Sequence, residues 1–344
     1  MPSHVNQHFV PKFYLKYFSV DRNNKSINIF NKDNEKYIEN ASLASQAYKK
    51  YYYGTDGLLE KDLADVESKA ALLLNYIAKS LYLPEQLSEV HKFLLFFILL
   101  TDLRNLNYNK KFSESLNSMH NSIYKKGEVV DPKFDLRTEN TVNLSLTALP
   151  VLIDLCADLD FKLIINGSNI PFVTSDYPVI KYNQFLENIL PGSMNTGYSS
   201  LGLQIMFPLS PKTLIIFFDQ SIYKVGSAKK RVVNIDKESE IEMLNMLQIL
   251  NSGINIYFNN ELPKSKIFNL YYKSKTYKKP HQNITTIIPD SPTSAYHITT
   301  TTPLETKMQM DWIKMTDYSK KLILDKSKFV HMRPWAEKIR NNDV

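Results

Sequence analysis

At 344 residues, 43% apolar and 22% charged, the chain can bury a sizeable core, and global disorder is excluded. A single cysteine, Cys156, excludes an intramolecular disulfide and a thiolate zinc cage. A net charge of +7, with 21 Tyr and 18 Phe beside only 9 Gly, points to an acidic partner, nucleic acid first, although Lys- and Asn-rich usage also fits an AT-rich genome.

The opening stretch, Asn6 to Ser19, sets the pattern for the rest. Pro11 has a fixed φ and no N–H, so it suits a first helical turn. Tyr14, Leu15 and Phe18 then recur at helical spacing. His8 precedes a helix N-terminus, which favours anions and disfavours an imidazolium. Two readings fit: a neutral imidazole beside a phosphate or carboxylate, or a plain cap at the helix entry.

Ser26 to Phe30 alternates as a strand, Asn31 to Asn34 turns, and Lys36 to Glu39 pairs back. Ala41 to Tyr53 is an irregular tyrosine and lysine stretch ending at Gly54. Asp56 is expected to cap a helix from Leu58 to Leu83. Pro84 opens the next helix, which extends to about Lys125, with Phe93, Phe96, Phe97 and Leu100 on one face. Arg104 falls on that apolar face. An unpaired buried charge is expensive, so Arg104 should meet a carboxylate or anion from a distant part of the chain, or else snorkel to water at the rim.

Gly127 to Asn140 reads as a charged loop, and Thr141 to Leu159 as helix, split or kinked at Pro150. Cys156 has apolar neighbours and is expected to be buried and inert. From Phe161 the character changes to short strands: Phe161 to Ile165, Phe172-Val173, Leu203 to Met206 and Leu214 to Phe218. Asn166-Gly167 signals a hairpin. Lys229, Lys230 and Arg231 form a basic knot before a strand at Val232-Val233 and are the candidate nucleic-acid contacts. Asp236 is expected to cap a helix from Lys237 to about Leu250, with Gly253 as its stop and Ile254 to Phe258 as the next strand. Pro289 to Pro303, rich in Pro, Ser and Thr, reads as a linker or surface crossing.

The fold expected is α+β, a helical N-terminal half packed on a mainly antiparallel sheet from the second half. It would form one domain over residues 1–288, helical to about 160 and sheet from 161, with a linker and helical extension over 289–344. The longest apolar run, Phe93 to Leu100, is far short of the ~20 residues a spanning helix needs. The N-terminus lacks a signal pattern, so a soluble, cytoplasmic protein without membrane contact is expected.

The second marked stretch is Pro171 to Ile180, where a strand delivers Thr174, Ser175 and Asp176 to a turn made rigid by Pro178. Such a turn can present a hydroxyl and a carboxylate with little freedom. It can equally satisfy its own backbone as an Asx or Ser turn.

Together, His8, Pro11, Tyr14, Leu15 and Phe18 with Phe172-Val-Thr-Ser-Asp-Tyr-Pro-Val179 resemble the two signatures of the domain-of-unknown-function family 4238. Arg104 fits the arginine those proteins carry between the signatures. Phe207-Pro-Leu-Ser-Pro211 and the Asn245-containing helix leading into Ile254 to Phe258 are similar to the later pattern. The resemblance spans Gln7 to Phe258, and it departs at Tyr177, where asparagine is common, and at Asn105, where threonine is common. The family carries no established activity, so the resemblance implies a site without a reaction.

That site is His8, Arg104, Ser175 and Asp176, converging between the helical half and the sheet. Such a set suits nuclease or other phosphoryl-transfer chemistry: His8 as general acid or base, Arg104 clamping phosphate, and Asp176 orienting His8 or holding a metal. The alternative is a non-catalytic nucleic-acid- or protein-binding module in which the same side chains form a structural polar network. No His-Glu-x-x-His and no Gly-rich phosphate loop occurs, and nothing in the motifs names a metal or cofactor. Glu67-Ser-Lys69 and Glu305-Thr-Lys307 read as chance matches to a nuclease pattern. His4, His91, His120, His281, His297 and His331 lack ligand spacing and read as solvated or structural.

Overall fold

The short elements near the N-terminus follow local rules closely. In the computed structural model, which describes residues 5–21, 23–123, 141–189, 196–277, 283–291, 294–301, 306–326 and 329–341, His8 ends β1 (Asn6–His8) and Pro11 stands immediately before α1 (Lys12–Leu15). β2 (Ser26–Asn31) and β3 (Lys36–Ser42) form the expected hairpin. The tyrosine and lysine stretch supplies β4 (Tyr48–Lys50), which pairs with β1 as a two-stranded ribbon.

α2 (Leu58–Ser80) follows, with the Asp56 carboxylate accepting from the Leu58 N–H at 3.1 Å. The single long helix expected after Pro84 is two helices, α3 (Glu89–Leu103) and α4 (Leu106–Ile123). The break has a side-chain cause: Asn105 Oδ1 accepts from the Asn107 N–H at 2.9 Å and starts the second helix. The loop expected at Gly127 to Asn140 lies outside the described residues. α5 (Thr141–Leu146) and α6 (Leu149–Cys156) divide near Pro150, which lies in the first turn of α6.

The sheet half begins with β5 (Asp160–Asn166), β6 (Thr174–Ser175) and β7 (Ile180–Tyr182), then α7 (Gln184–Ile189), β8 (Gln204–Ser210), β9 (Thr213–Phe218) and β10 (Tyr223–Val225). The hairpin expected at Asn166-Gly167 does not form. The Asn166 side chain instead accepts from the Ser168 N–H and donates to the Ile170 carbonyl, turning the chain away from the sheet. β11 (Val232–Ile235) pairs with β5 in parallel. α8 (Glu238–Asn251) starts without a side-chain cap, and Asp236 packs against Gly167. β12 (Asn255–Phe258) and α9 (Lys264–Ser274) complete this half.

Beyond α9, β13 (Asn283–Ser291) and β14 (Ser294–Thr301) pair as a hairpin where a linker was expected, since runs of Thr and Ile favour extended pairing despite the prolines. β15 (Ile313–Met315) pairs with β10, and α10 (Asp317–Leu324) and α11 (Pro334–Arg340) follow. The buried Arg333 grips Asp158 at 2.9 Å and the Leu155 carbonyl at 2.6 Å, tying the C-terminal helix to α6.

The protein is α+β with mainly antiparallel sheets. The main sheet has the order β11-β5-β9-β8-β7, and a second has β3-β2-β12-β6. Alternation along the main sheet separates two cores. Leu163, Ile205, Phe207, Ile215 and Phe217 join the core under the N-terminal helices, while Ile164, Met206, Leu214, Ile216 and Phe218 join the core shared with α8 and α9. The central strands are therefore buried on both faces, which is why they read as continuous apolar runs.

Candidate functional site

The two signature stretches meet through Tyr14 and Thr174. The Tyr14 hydroxyl donates to the Pro208 carbonyl at 2.6 Å and shares a 2.7 Å hydrogen bond with Thr174 Oγ1, and its ring stacks on Phe207 at 4.8 Å. Burial holds this phenol well above its ordinary pKa, so it stays protonated. Helical spacing had placed Tyr14 on an apolar stripe. The hydroxyl adds a polar anchor at its tip.

The second stretch is held by amides from one face of α8. Asn245 accepts from the Val173 N–H at 3.0 Å and donates to the Pro171 carbonyl at 2.9 Å. Gln248 donates to Ser175 Oγ at 2.6 Å and to the Tyr177 carbonyl at 2.8 Å, and Asn251 donates to the Tyr177 and Val179 carbonyls at 2.8 Å. Spacing of three residues on a helix lines these amides up. The segment has little ladder pairing of its own, and this row of side chains satisfies its backbone.

Ser175 and Asp176 are consumed locally. Ser175 Oγ accepts from the Tyr177 N–H at 2.9 Å and donates to the Tyr177 carbonyl at 2.9 Å. The Asp176 carboxylate accepts from the N–H groups of Gly253 at 2.8 Å, Ile254 at 2.7 Å and Asn255 at 3.0 Å. Burial pushes its pKa up, and the three N–H groups oppose that shift. A Cβ at Gly253 would stand 2.0 Å from the Asn107 amide nitrogen, so a larger residue there would have to displace that side chain. Asp176 therefore meets neither His8 nor Arg104. The connection between the elements is indirect, through Asn105, whose amide donates to the Asp176 carbonyl at 2.6 Å.

His8 and Arg104 belong to a different cluster, completed by Glu67 and Tyr53. Arg104 is 0% exposed and donates from Nη1 to Glu67 Oε1 at 2.8 Å, while Glu67 reaches the boundary at 25% exposure. The guanidinium Nε and Nη2 make no well-formed hydrogen bond, and the nearby Tyr53 hydroxyl helps to stabilise the cation. The Tyr53 phenol is electrostatically coupled to Arg104 and donates to the His8 carbonyl at 2.9 Å. Gln7 fixes Tyr53 by accepting from its N–H at 2.5 Å and donating to the Gly54 carbonyl at 3.1 Å.

The His8 ring is half-buried and its Nε2 lies 3.3 Å from the Ala44 carbonyl. A carbonyl only accepts, so Nε2 carries the hydrogen and Nδ1 keeps its lone pair in the neutral ring. Burial lowers the His8 pKa, the cations Lys12 and Arg104 lower it further, and the Ala44 bond and Glu67 oppose them. The imidazole is therefore neutral near pH 7 and has a free acceptor nitrogen.

Asp102 points to the other side of the same helix end. Its buried carboxylate takes Lys181 Nζ at 2.8 Å and the Tyr198 hydroxyl, and the Lys181 ammonium lies 4.4 Å from the Tyr198 ring centre. Sequence reasoning missed Glu67, Tyr53 and this Lys181 partner. Glu67 carried a usable signal, since Leu63, Glu67, Ala70, Leu74 and Ile77 lie at helical spacing and all but Glu67 are apolar. Lys229, Lys230 and Arg231 stand apart, at edge strand β11 of the main sheet, with the Arg231 guanidinium 4.7 Å from the Phe161 ring centre. Cys156 is buried, and its thiol is pushed up to about 12 by burial. His91 is buried against Phe161.

An α+β framework with its two signature stretches docked through Tyr14 and Thr174 defines the class. The chain belongs to the family described as Protein of unknown function (DUF4238), whose model matches residues 6–261. No curated protein and no solved structure matches the chain. Among the described residues, no helix is long and apolar enough to cross a membrane. No group of three or more His, Cys, Asp and Glu among them is placed to hold a metal ion.

Proposed function

We propose that the chain is a phosphoryl-transfer enzyme acting on nucleic acid, with His8 as the acid–base group and Arg104 as the group that receives phosphate charge. The supporting observation is the Arg104 guanidinium: it is fully buried, its charge is felt by His8, and beyond Glu67 and the nearby Tyr53 hydroxyl its Nε and Nη2 make no well-formed hydrogen bond. A buried cation with free donors is costly unless an anion completes it. A neutral His8 with a free Nδ1 can take a proton from a water or hydroxyl nucleophile, and Glu67 steadies the opposing charge. Asp176 has no place in this scheme, because its carboxylate is already held by backbone.

A second reading is favoured by the Arg104–Glu67 contact. If that pair is a lock between α2 and the end of α3, the protein is a binding module without chemistry. The two readings separate in one experiment. Purified wild-type, His8→Ala and Arg104→Lys chains are incubated with labelled RNA and DNA in magnesium or manganese, and folding is followed by circular dichroism. The enzyme reading requires wild-type cleavage that a folded His8→Ala chain loses. Intact substrate throughout leaves the binding module.

A further inference from the structure

Just past β4 the backbone turns through Tyr51 at φ 53°, a left-handed conformation that a bulky side chain seldom adopts. Its N–H donates to the Val5 carbonyl at 2.9 Å, so the β1–β4 ribbon itself holds the turn. The ring is not packed away. Tyr51 is 44% exposed, while Tyr52 and Tyr53, which follow it, are buried. Lys49 and Lys50 precede it and are exposed.

The ribbon register places Tyr48 opposite His8 and Lys50 opposite Asn6. Residues two apart on a strand share a face, so Lys50 and Tyr48 stand on the His8 face. The Tyr48 ring lies 5.8 Å from the His8 ring. Lys12, exposed at the start of α1, is electrostatically coupled to His8. One aromatic ring, Tyr48, thus lies beside the histidine, and Lys50 stands on the same ribbon face.

We propose that this end of the ribbon binds single-stranded nucleic acid, with Tyr51, exposed at the turn that follows Lys50, as a base-stacking platform and Lys12 and Lys50 on the phosphates. This rests on the nucleic-acid reading above and narrows its substrate class. Bases in a duplex are stacked on one another and offer only their edges, whereas an unpaired base has a free face for a projecting ring. The ribbon keeps an aromatic ring in water at the cost of backbone strain, and a stacked base removes that apolar area from solvent.

The test is fluorescence anisotropy with the full chain and labelled oligo(U) and oligo(dT) of about 15 nucleotides, a length within the usual single-strand site sizes, against a duplex of equal length. The expected result is single-strand binding at least about tenfold tighter than duplex binding, weakened about tenfold or more by Tyr51→Asn, since asparagine tolerates the same φ. Lys12→Gln and Lys50→Gln should each lower the slope of log affinity against log salt by about 0.7. These two surface variants carry the test if Tyr51→Asn does not fold. Equal affinity for duplex, wild-type affinity in Tyr51→Asn, or an unchanged salt slope in both lysine variants overturns the proposal. Tight single-strand binding without cleavage upholds it and overturns the catalytic reading, while cleavage that prefers duplex does the reverse.

Discussion

Asp176 and His8 stand in the two signature stretches, and they differ in how many of their polar atoms are already in use. Asp176 spends both carboxylate oxygens on three N–H groups of residues 253–255, gives its carbonyl to Asn105 and donates its own N–H to Asn255. His8 makes one ring hydrogen bond, to Ala44, and keeps a nitrogen free. A polar side chain at a strand end thus says little about chemistry until its neighbours' donors are counted. Where the backbone nearby lacks ladder partners, the side chain becomes part of the scaffold.

The comparison breaks most directly at Asp176. Asp176→Ala would leave three N–H groups without an acceptor and should cost about 3–5 kcal/mol of stability, read from urea unfolding. A variant of near wild-type stability would show that the carboxylate is not an anchor. Asn245→Ala, which frees the Val173 N–H and the Pro171 carbonyl, should cost about 2–4 kcal/mol by the same measurement. Arg104→Met should cost less, about 1–3 kcal/mol, because the Glu67 carboxylate it abandons can reach water.

His8→Gln should change stability by under about 0.5 kcal/mol while abolishing any cleavage, since a half-exposed ring with one bond contributes little to the fold. The pH dependence sharpens the same contrast. Folding lowers the His8 pKa, so the stability it contributes is present above about pH 6.5 and is lost as pH falls through the lowered folded value. Cleavage should fail over that same acid limb, and His8→Gln should remove the histidine's share of both effects. His91, lowered to about 4 by burial, gives a separate acid limb in unfolding that has no counterpart in cleavage.

Much of this architecture was readable because it depends on local pattern. Pro11, the apolar stripe of α2 and the strand runs of the second half all obey periods that one segment sets by itself. Arg104 was readable in part, as a charge on an apolar face that needed either a distant carboxylate or anion or an exit to water at the rim, and the structure gives it Glu67. What escaped was the identity of partners. Glu67 and Arg104 each interrupt an apolar stripe, and pairing them requires knowing that α2 packs against the end of α3. Asp176 escaped for the opposite reason. Its partners are backbone N–H groups, which every residue carries, so no sequence feature marks them. The break at Asn105 and the Thr-rich hairpin were likewise decided by a side-chain cap and by pairing, against the punctuation that Pro and apolar spacing suggested.

The order β3-β2-β12-β6 carries a consequence for how the chain is made. Asn31 and Asn255, 224 positions apart, share a side-chain hydrogen bond where β2 meets β12. The early hairpin and the second signature both lean on a strand synthesised long after them. During translation the β2 edge must wait, with its backbone groups facing water, until residues 255–258 arrive. Premature pairing with another chain is the hazard over that interval. Such long-range closure also makes for slow folding, so low temperature and slow induction should raise the recovered fraction of native protein.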